Sequence, residues 1–416
     1  MKKLLIPFII AFGFPAISFA QQYGWKDIGA NIPGDSLGHD LSDVFFVTDN
    51  EGWITSSTHA EIYHTADGGE TFEVQTTPFG VTIAIHMLDE NHGYAGGDGG
   101  WIYKTENGGD EWTMLGSIGT MVLDISFPPG TSPDNPIGYA CGGSGSVWEI
   151  TSGLVNLNSG SSSVLSGISA PSVDQVWSCG GNRIYYYNGV DFTSQSGPLG
   201  SFNDIHFIND LEGWVVGNGG TMGITTNGGN YWTQQENPDT QNRGLYGVFF
   251  IDSNNGWAVG FEGILLKTTD GGNNWIEVGE DLQKFFYNGV HFTSATNGYI
   301  VGNNRTLLKY TNVSGIGEMQ PQLAFELYPN PCRDKIQITS SKLQNNSQLP
   351  TPNSKLQTPY SKLEILDISG RKVWEYENSR VRESEMVVDV SYLPAGLYLV
   401  KLQTEDGVGV RKFIKR

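Results

Sequence analysis

Three aspartates, Asp43, Asp124 and Asp204, each open a short apolar stretch: DVFFV at 43–47, DISF at 124–127 and DIHFI at 204–208. Three histidines, His86, His206 and His291, stand two residues after the equivalent opening position in their own stretches. If the chain brings these positions together, the six side chains suit three kinds of chemistry. Carboxylates with imidazoles can hold a cation. The same groups can hydrogen-bond a sugar. Two carboxyls roughly 5–10 Å apart can act as an acid–base or acid–nucleophile pair on a glycosidic bond. Against these stands a purely architectural use, in which the polar groups bond to neighbouring strands and to water. A compact metal centre is not expected, because its ligands must converge to about 2 Å and the histidines come from non-adjacent units. No cofactor is expected either.

Other chemistries are weaker. A sialidase-type site needs an arginine cluster for a substrate carboxylate. Arg183, Arg243 and Arg305 lie in separate stretches, and Tyr185 follows Arg183-Ile184 where such a site would place proline. Asp98 and Glu262 could join the three aspartates in a paired-carboxylate site. The turns DNEG, NDLEG and DSNNG lack the spacing and closing glutamate of calcium loops. No phosphate loop, nucleophile triad or clustered Cys/His pattern is present. The three cysteines, Cys141, Cys179 and Cys332, form no disulfide framework. Cys141 and Cys179 occupy equivalent small apolar positions and read as two buried thiols. The formal net charge of −20 opposes nucleic-acid binding, which needs a basic face.

These residues must be positioned by a repeat. A Gly-aromatic pair recurs at Gly52-Trp53, Gly93-Tyr94, Gly138-Tyr139, Gly213-Trp214, Gly256-Trp257 and Gly298-Tyr299, and Val176-Trp177 fills the gap. Successive spacings are 41, 45, 38, 37, 43 and 42 residues. Each unit reads as an apolar strand, a polar turn, the Gly-aromatic strand, a Gly-rich turn, a third strand and a fourth. Four short strands in about 40 residues is the pattern of a propeller blade. The fold expected is all-β: a seven-bladed β-propeller over 21–313, a linker at 314–322 and a small β-sandwich at 323–416. The seventh unit ends after its third strand, LLKYTN, and the segment YGWKDIGANI at 23–32 is expected to supply its fourth. Aligning the inner strands gives Asp43, Ala84, Asp124, Gly167, Asp204, Gly247 and Gly289. Two residues on stand Phe45, His86, Ser126, Ser169, His206, Phe249 and His291. Period-two alternation directs both series to one side of the strand, toward the axis.

A polar knot follows the third strand in four units. It carries Thr65, Asp67, Gly69 and Phe72; Thr105, Asn107, Gly109 and Trp112; Thr225, Asn227, Gly229 and Trp232; Thr268, Asp270, Gly272 and Trp275. Asn replaces Asp in two copies, which suits a turn former better than a metal ligand or a general acid. The knot resembles the Asp-box, or bacterial neuraminidase repeat, of sialidase-like propellers. The layout, with GW before and DGG after, resembles the photosystem II assembly-factor type of propeller more closely. That resemblance implies a protein-binding role through an arginine-bearing patch, which this arginine-poor chain does not match. In such propellers, ligands usually meet the face where the inner strands begin, here called upper. The knots lie on the lower face.

The N-terminus, MKKLLIPFIIAFGFPAISFA, reads as a signal peptide at 1–20, and no other stretch is long and apolar enough to span a membrane. The C-terminal blocks are Pro329-Asn330-Pro331, Gly370-Arg371-Lys372-Val373, Leu393-Pro394-Ala395-Gly396-Leu397-Tyr398 and a basic end with Lys412, Lys415 and Arg416. They resemble the type A C-terminal sorting domain of the type IX secretion system of Bacteroidota. The resemblance implies that the type IX machinery is a partner and that the protein passes through the periplasm to be secreted or attached at the cell surface. A polar insertion, SKLQNNSQLPTPNSKLQTPYSKLE at 341–364, departs from that pattern. The expectation is a monomeric, non-enzymatic recognition protein with a glycan or protein ligand. The rival expectation is a polysaccharide-acting glycoside hydrolase.

Overall fold

A computed structural model describes residues 23–34, 38–279, 282, 285–312, 325–340, 360–367, 372–376, 385–404 and 407–416. The signal region, the linker at 314–322 and Gly370 lie outside the described residues. The chain divides into two compact units, Met1–Val313 and Ser314–Arg416.

Among the described residues, the first unit holds seven four-stranded antiparallel sheets. Their inner strands are Leu41–Phe46, Thr82–Met87, Val122–Ser126, Gly167–Ser172, Ser201–Phe207, Leu245–Phe250 and Tyr287–Ser294, which number blades 1 to 7. Inner strands pack in this order, and that of blade 7 packs against that of blade 1. This is a propeller ring. Blade 7 is completed from the far end of the chain: Tyr23–Asp27 pairs antiparallel with Thr306–Asn312, with Trp25 opposite Tyr310. The first strand thereby covers the edge that a three-stranded last blade would expose.

The Gly-aromatic pair explains why blades stay together. At Gly52, Gly138, Gly213, Gly256 and Gly298 an added Cβ would sit 2.2–2.5 Å from the ring of Phe46, Phe127, Phe207, Phe250 or Phe292, each on the inner strand of the same blade. Each phenylalanine lies over its own glycine and stacks on the aromatic partner of the preceding blade. The pairs are Phe46–Tyr299, Phe127–Tyr94, Phe207–Trp177, Phe250–Trp214 and Phe292–Trp257, with ring centroids 3.6–4.7 Å apart. Blade 4 inverts the sizes. Ala170 replaces the phenylalanine, and Val176 replaces the glycine; both are buried in one cluster with Tyr139 of blade 3.

The second unit has a three-stranded and a four-stranded sheet. Ile336, Ile338 and Val388 from the first, with Leu363, Ile365, Val400 and Phe413 from the second, share one apolar cluster.

Two outcomes test this account. Deletion of residues 21–32 should lower the thermal midpoint of the propeller and promote aggregation, because blade 7 loses its outer strand; an unchanged midpoint would contradict closure by that strand. Gly256→Ala should destabilise by about 1–3 kcal/mol, as over-packing does. Denaturant unfolding measures it, and a neutral result would remove the steric role assigned to this glycine.

Candidate functional site

Just before the aspartate position, the register slips by one residue in six of the seven inner strands. Such bulges re-aim the following side chain. Each aspartate then turns its carboxyl along the ring. Asp43 accepts from its neighbour Val44 N at 2.8 Å and from Ile85 N of blade 2 at 2.9 Å. Asp124 accepts from Ile125 N and from Ile168 N of blade 4, both at 2.7 Å. Asp204 accepts from Ile205 N at 2.7 Å and from Val248 N of blade 6 at 2.8 Å. One oxygen serves the home strand and the other crosses to the next blade. Ala84, Gly167 and Gly247 occupy the aligned position in the receiving blades.

Two residues further on, a second layer forms. Ser126 accepts from Ala170 N, and Ser169 from Phe207 N. His206 Nε2 pairs with Phe250 O at 3.1 Å, and His86 bonds the backbone of Ile125. The remaining arc is made of rings: His86–Phe45, Phe45–His291, His291–Phe249 and Phe249–His206, with centroids 4.4–5.0 Å apart. Nδ1 of His291 is buried without a hydrogen-bond partner.

The two layers enclose an axial cavity of about 230 Å³. Its lining contains all six candidate residues, Asp43, Asp124, Asp204, His86, His206 and His291, together with Phe45, Phe249 and both serines. It continues to Pro129 and Pro171, beyond the second layer, and so extends toward the lower face. Among the described residues, no lysine or arginine lines it.

Burial dominates the electrostatics. It pushes Asp43 up to about 6, against the backbone bonds from Ile85 and Val44. It pushes Asp204 up to about 7 despite its two backbone bonds, with the charge of Asp43 adding to the rise. Asp124 is raised well above the usual carboxylate range by burial and then by the charges of Asp204 and Asp43. Burial lowers His86 and His206 to about 4, and it lowers His291 to about 3 with help from the other two histidines. Near neutral pH the imidazoles are therefore uncharged.

The knots on the lower face share one geometry. The threonine hydroxyl accepts from the second glycine N–H in all four, at 2.8–2.9 Å. The Asp or Asn Oδ1 accepts from the N–H four residues on, at 2.9–3.0 Å, whether the residue is Asp67, Asn107, Asn227 or Asp270. Both glycines of each pair have positive φ. Trp112, Trp232 and Trp275 return to the core, and Phe72 packs against it.

The knots also do something that the sequence pattern did not reveal. Gln75, Gln195 and Gln235, at outer strands of blades 1, 4 and 5, donate to Gly108 O, Gly228 O and Gly272 O in the knot of the next blade, at 2.7–3.0 Å. At the chain's closing junction Asn31 donates to Gly69 O, and Lys309 to Gly68 O. A glutamine three residues after the final aromatic of two of the four knots was the available signal: Phe72/Gln75 and Trp232/Gln235.

The arginines do not cluster. Arg243 is buried against Asp239 and Glu277, Arg305 donates to Ile32 O, and Arg183 is exposed. Cys141, Cys179 and Cys332 are free and buried. In the second unit Asn330 ties Pro329 and Pro331 to the last strand, donating to Lys412 O and accepting from Ile414 N. Tyr398 donates to Pro394 O and stacks on Phe413, while Leu393 and Lys415 are buried. Ala395, Gly396 and Lys412 are exposed.

Two experiments follow. Asp270→Asn should leave the unfolding midpoint nearly unchanged, since Asn227 makes the same Oδ1 bonds, whereas Asp270→Ala should lower it; Trp275→Ala should cost roughly 3–5 kcal/mol. If the Asn substitution were as damaging as Ala, the charge itself would matter. The second concerns pH. A carboxyl raised in the fold keeps its proton to higher pH than in the unfolded chain, so stability falls as pH rises through about 6–7. Histidines depressed to about 3–4 act oppositely, but only below their unfolded value of roughly 6.5. The thermal midpoint should therefore decline between about pH 6.5 and 8, and Asp204→Asn should flatten that decline. A midpoint rising over this range would refute the assignment.

Comparison with known proteins places this architecture. Residues 326–416 match the family described as secretion system C-terminal sorting domain. Residues 186–284 match photosynthesis system II assembly factor YCF48. No curated protein matches the chain. Among solved structures, YCF48 bound to D1 peptide is 19% identical with a TM-score of 0.56, covering 74% of this chain and 99% of that one. YCF48 from Cyanidioschyzon merolae is 18% identical with a TM-score of 0.57, covering 70% and 99%. Virginiamycin B lyase from Staphylococcus aureus is 15% identical with a TM-score of 0.59, again covering 70% and 99%. At these identities the likeness is one of fold. The chain joins a propeller similar to YCF48 to a C-terminal segment that matches the secretion-system sorting domain.

Proposed function

We propose that this is an exported recognition protein, delivered outside the cell by the type IX secretion machinery, which binds its ligand in the axial channel of the propeller. The observation that carries the binding half is the cavity itself: three inward carboxyls, a layer of rings, and no basic lining side chain to balance the acids. The carboxyls are held by backbone N–H groups on two strands each, so they are rigidly placed before any ligand arrives. The export half rests on the match of residues 326–416 to the sorting domain.

A specific observation keeps a second reading. Asp124 is a carboxyl raised by burial and then by the charges of Asp204 and Asp43, and a raised carboxyl beside another acid is what glycoside hydrolysis uses. Against it, each acid already bridges two strands, which ties its orientation to the fold. Assay of reducing ends released from neutral polysaccharides decides: release abolished by Asp124→Asn would establish the hydrolase, and none would leave the binding reading.

Removing residues 323–416 should leave a folded propeller in the periplasm. Cell fractionation measures this, and normal amounts of the truncated protein outside the cell would show that the address lies elsewhere.

A further inference from the structure

We propose that the channel binds a primary ammonium head on an unbranched aliphatic stem, with the head among Asp43, Asp124 and Asp204 and the stem between Phe45, Phe249 and the three imidazoles. This deepens the recognition reading above and rests on it.

The first argument is acceptor capacity. An ionised carboxylate has about four lone-pair directions, and the backbone bonds shown for each aspartate use two. The acids come from blades 1, 3 and 5 and so surround the axis. An ammonium group offers three donors and no acceptor. Among the described lining residues there is no lysine or arginine, so the carboxyls, when ionised, have no protein cation to pair with. A concave site lined by one sign of charge focuses its field on the opposite one.

The second argument is the ring layer. Successive same-side residues on a strand lie about 6.6 Å apart, so the rings sit roughly one short alkyl chain from the acids. Phe45 and Phe249 line the cavity, and aromatic rings favour a cation and its adjoining methylenes. The three histidines are in contact with these rings and uncharged, so they do not repel a cation.

The third argument is exclusion of a bare metal ion. Among the described residues no group of three or more His, Cys, Asp or Glu is arranged to hold one. A cavity of about 230 Å³ has room for a larger, organic cation.

Every titratable group facing the site is known: the three aspartates, the three histidines, and the buried thiols of Cys141 and Cys179 behind Asp124 and Asp204. The thiols are pushed up by burial, whereas Asp43 and Asp204 are raised to about 6 and about 7. Binding a cation then favours their ionised form, and affinity must rise with pH.

The test is calorimetric titration of the full-length protein with n-butylammonium and with its neutral counterpart n-butanol. Butylammonium should bind saturably, at least about tenfold more tightly than butanol, because charge-assisted bonds are lost in the alcohol. Its affinity should increase from pH 5 to pH 8, with protons released on binding. Phe249→Leu, which leaves every carboxylate bond intact, should weaken binding several-fold in a protein that still unfolds cooperatively; Asp124→Asn should weaken it and reduce the pH dependence. Equal binding of butanol, pH-independent affinity, or no saturable binding at pH 8 overturns the proposal. A short lysine peptide and 1,5-diaminopentane, run in parallel, separate a protein side chain from a free polyamine by which binds more tightly. A protein that captures another ligand on a glycan or protein array while ignoring butylammonium would overturn this inference and leave the recognition reading intact.

Discussion

A flat ring on the second strand of one blade lies against a phenylalanine on the inner strand of the next, and five of the seven junctions are made this way. The contact joins sheets that share no backbone ladder, so side-chain packing must hold them. Stacked aromatic pairs bury large areas and add specific geometry. The glycine beneath each of these phenylalanines, in the same blade, is the condition for it, because a side chain there would collide with the phenylalanine ring. The repeated Gly-aromatic dipeptide is thus two halves of different contacts, one within a blade and one between blades. Where alanine replaces phenylalanine in blade 4, the glycine becomes Val176, and the volume is conserved across the pair.

Polar groups complete the junctions at both ends of the strands. Near the start of the inner strands, aspartates bridge to backbone N–H groups of the next blade. On the lower face, glutamines reach into the next knot. Between them lies the axial cavity, whose lining is shaped by these same bridging residues. Scaffold and site are therefore one set of side chains. A carboxyl held by two backbone bonds is both a brace and a fixed acceptor, which is why buried acids survive here without a basic partner.

Much of this was legible in the residues themselves. The near-constant spacing of the Gly-aromatic pairs marked the blades, the missing last knot and the early Trp25 marked closure, and Asn in two knots marked a turn rather than a chemical group. The ring of Asp and His positions was visible because alignment of repeats places equivalent residues around one axis. Three things were not visible. The inner-strand bulges break simple alternation, and bulges have no dependable sequence sign when flanked by Ser, Asn, Tyr or Leu. The glutamine clasps depend on how far one blade is rotated against the next. The use of both carboxylate oxygens is a matter of a few tenths of an ångström, below what spacing can express.

The bridging aspartates occupy blades 1, 3 and 5, and small residues occupy blades 2, 4 and 6. Such an alternation is a two-colouring of the ring, and an odd ring cannot be two-coloured. Somewhere two like units must adjoin. That place is blades 6 and 7, where Gly247 and Gly289 stand side by side; as at junctions 2–3, 4–5 and 7–1, none of the three aspartates crosses there. Blade 7 is also the blade assembled from both chain ends. The parity defect thus borders the blade that holds the covalent break, and at that junction the stacking of Phe292 on Trp257 stands in for a carboxylate bridge.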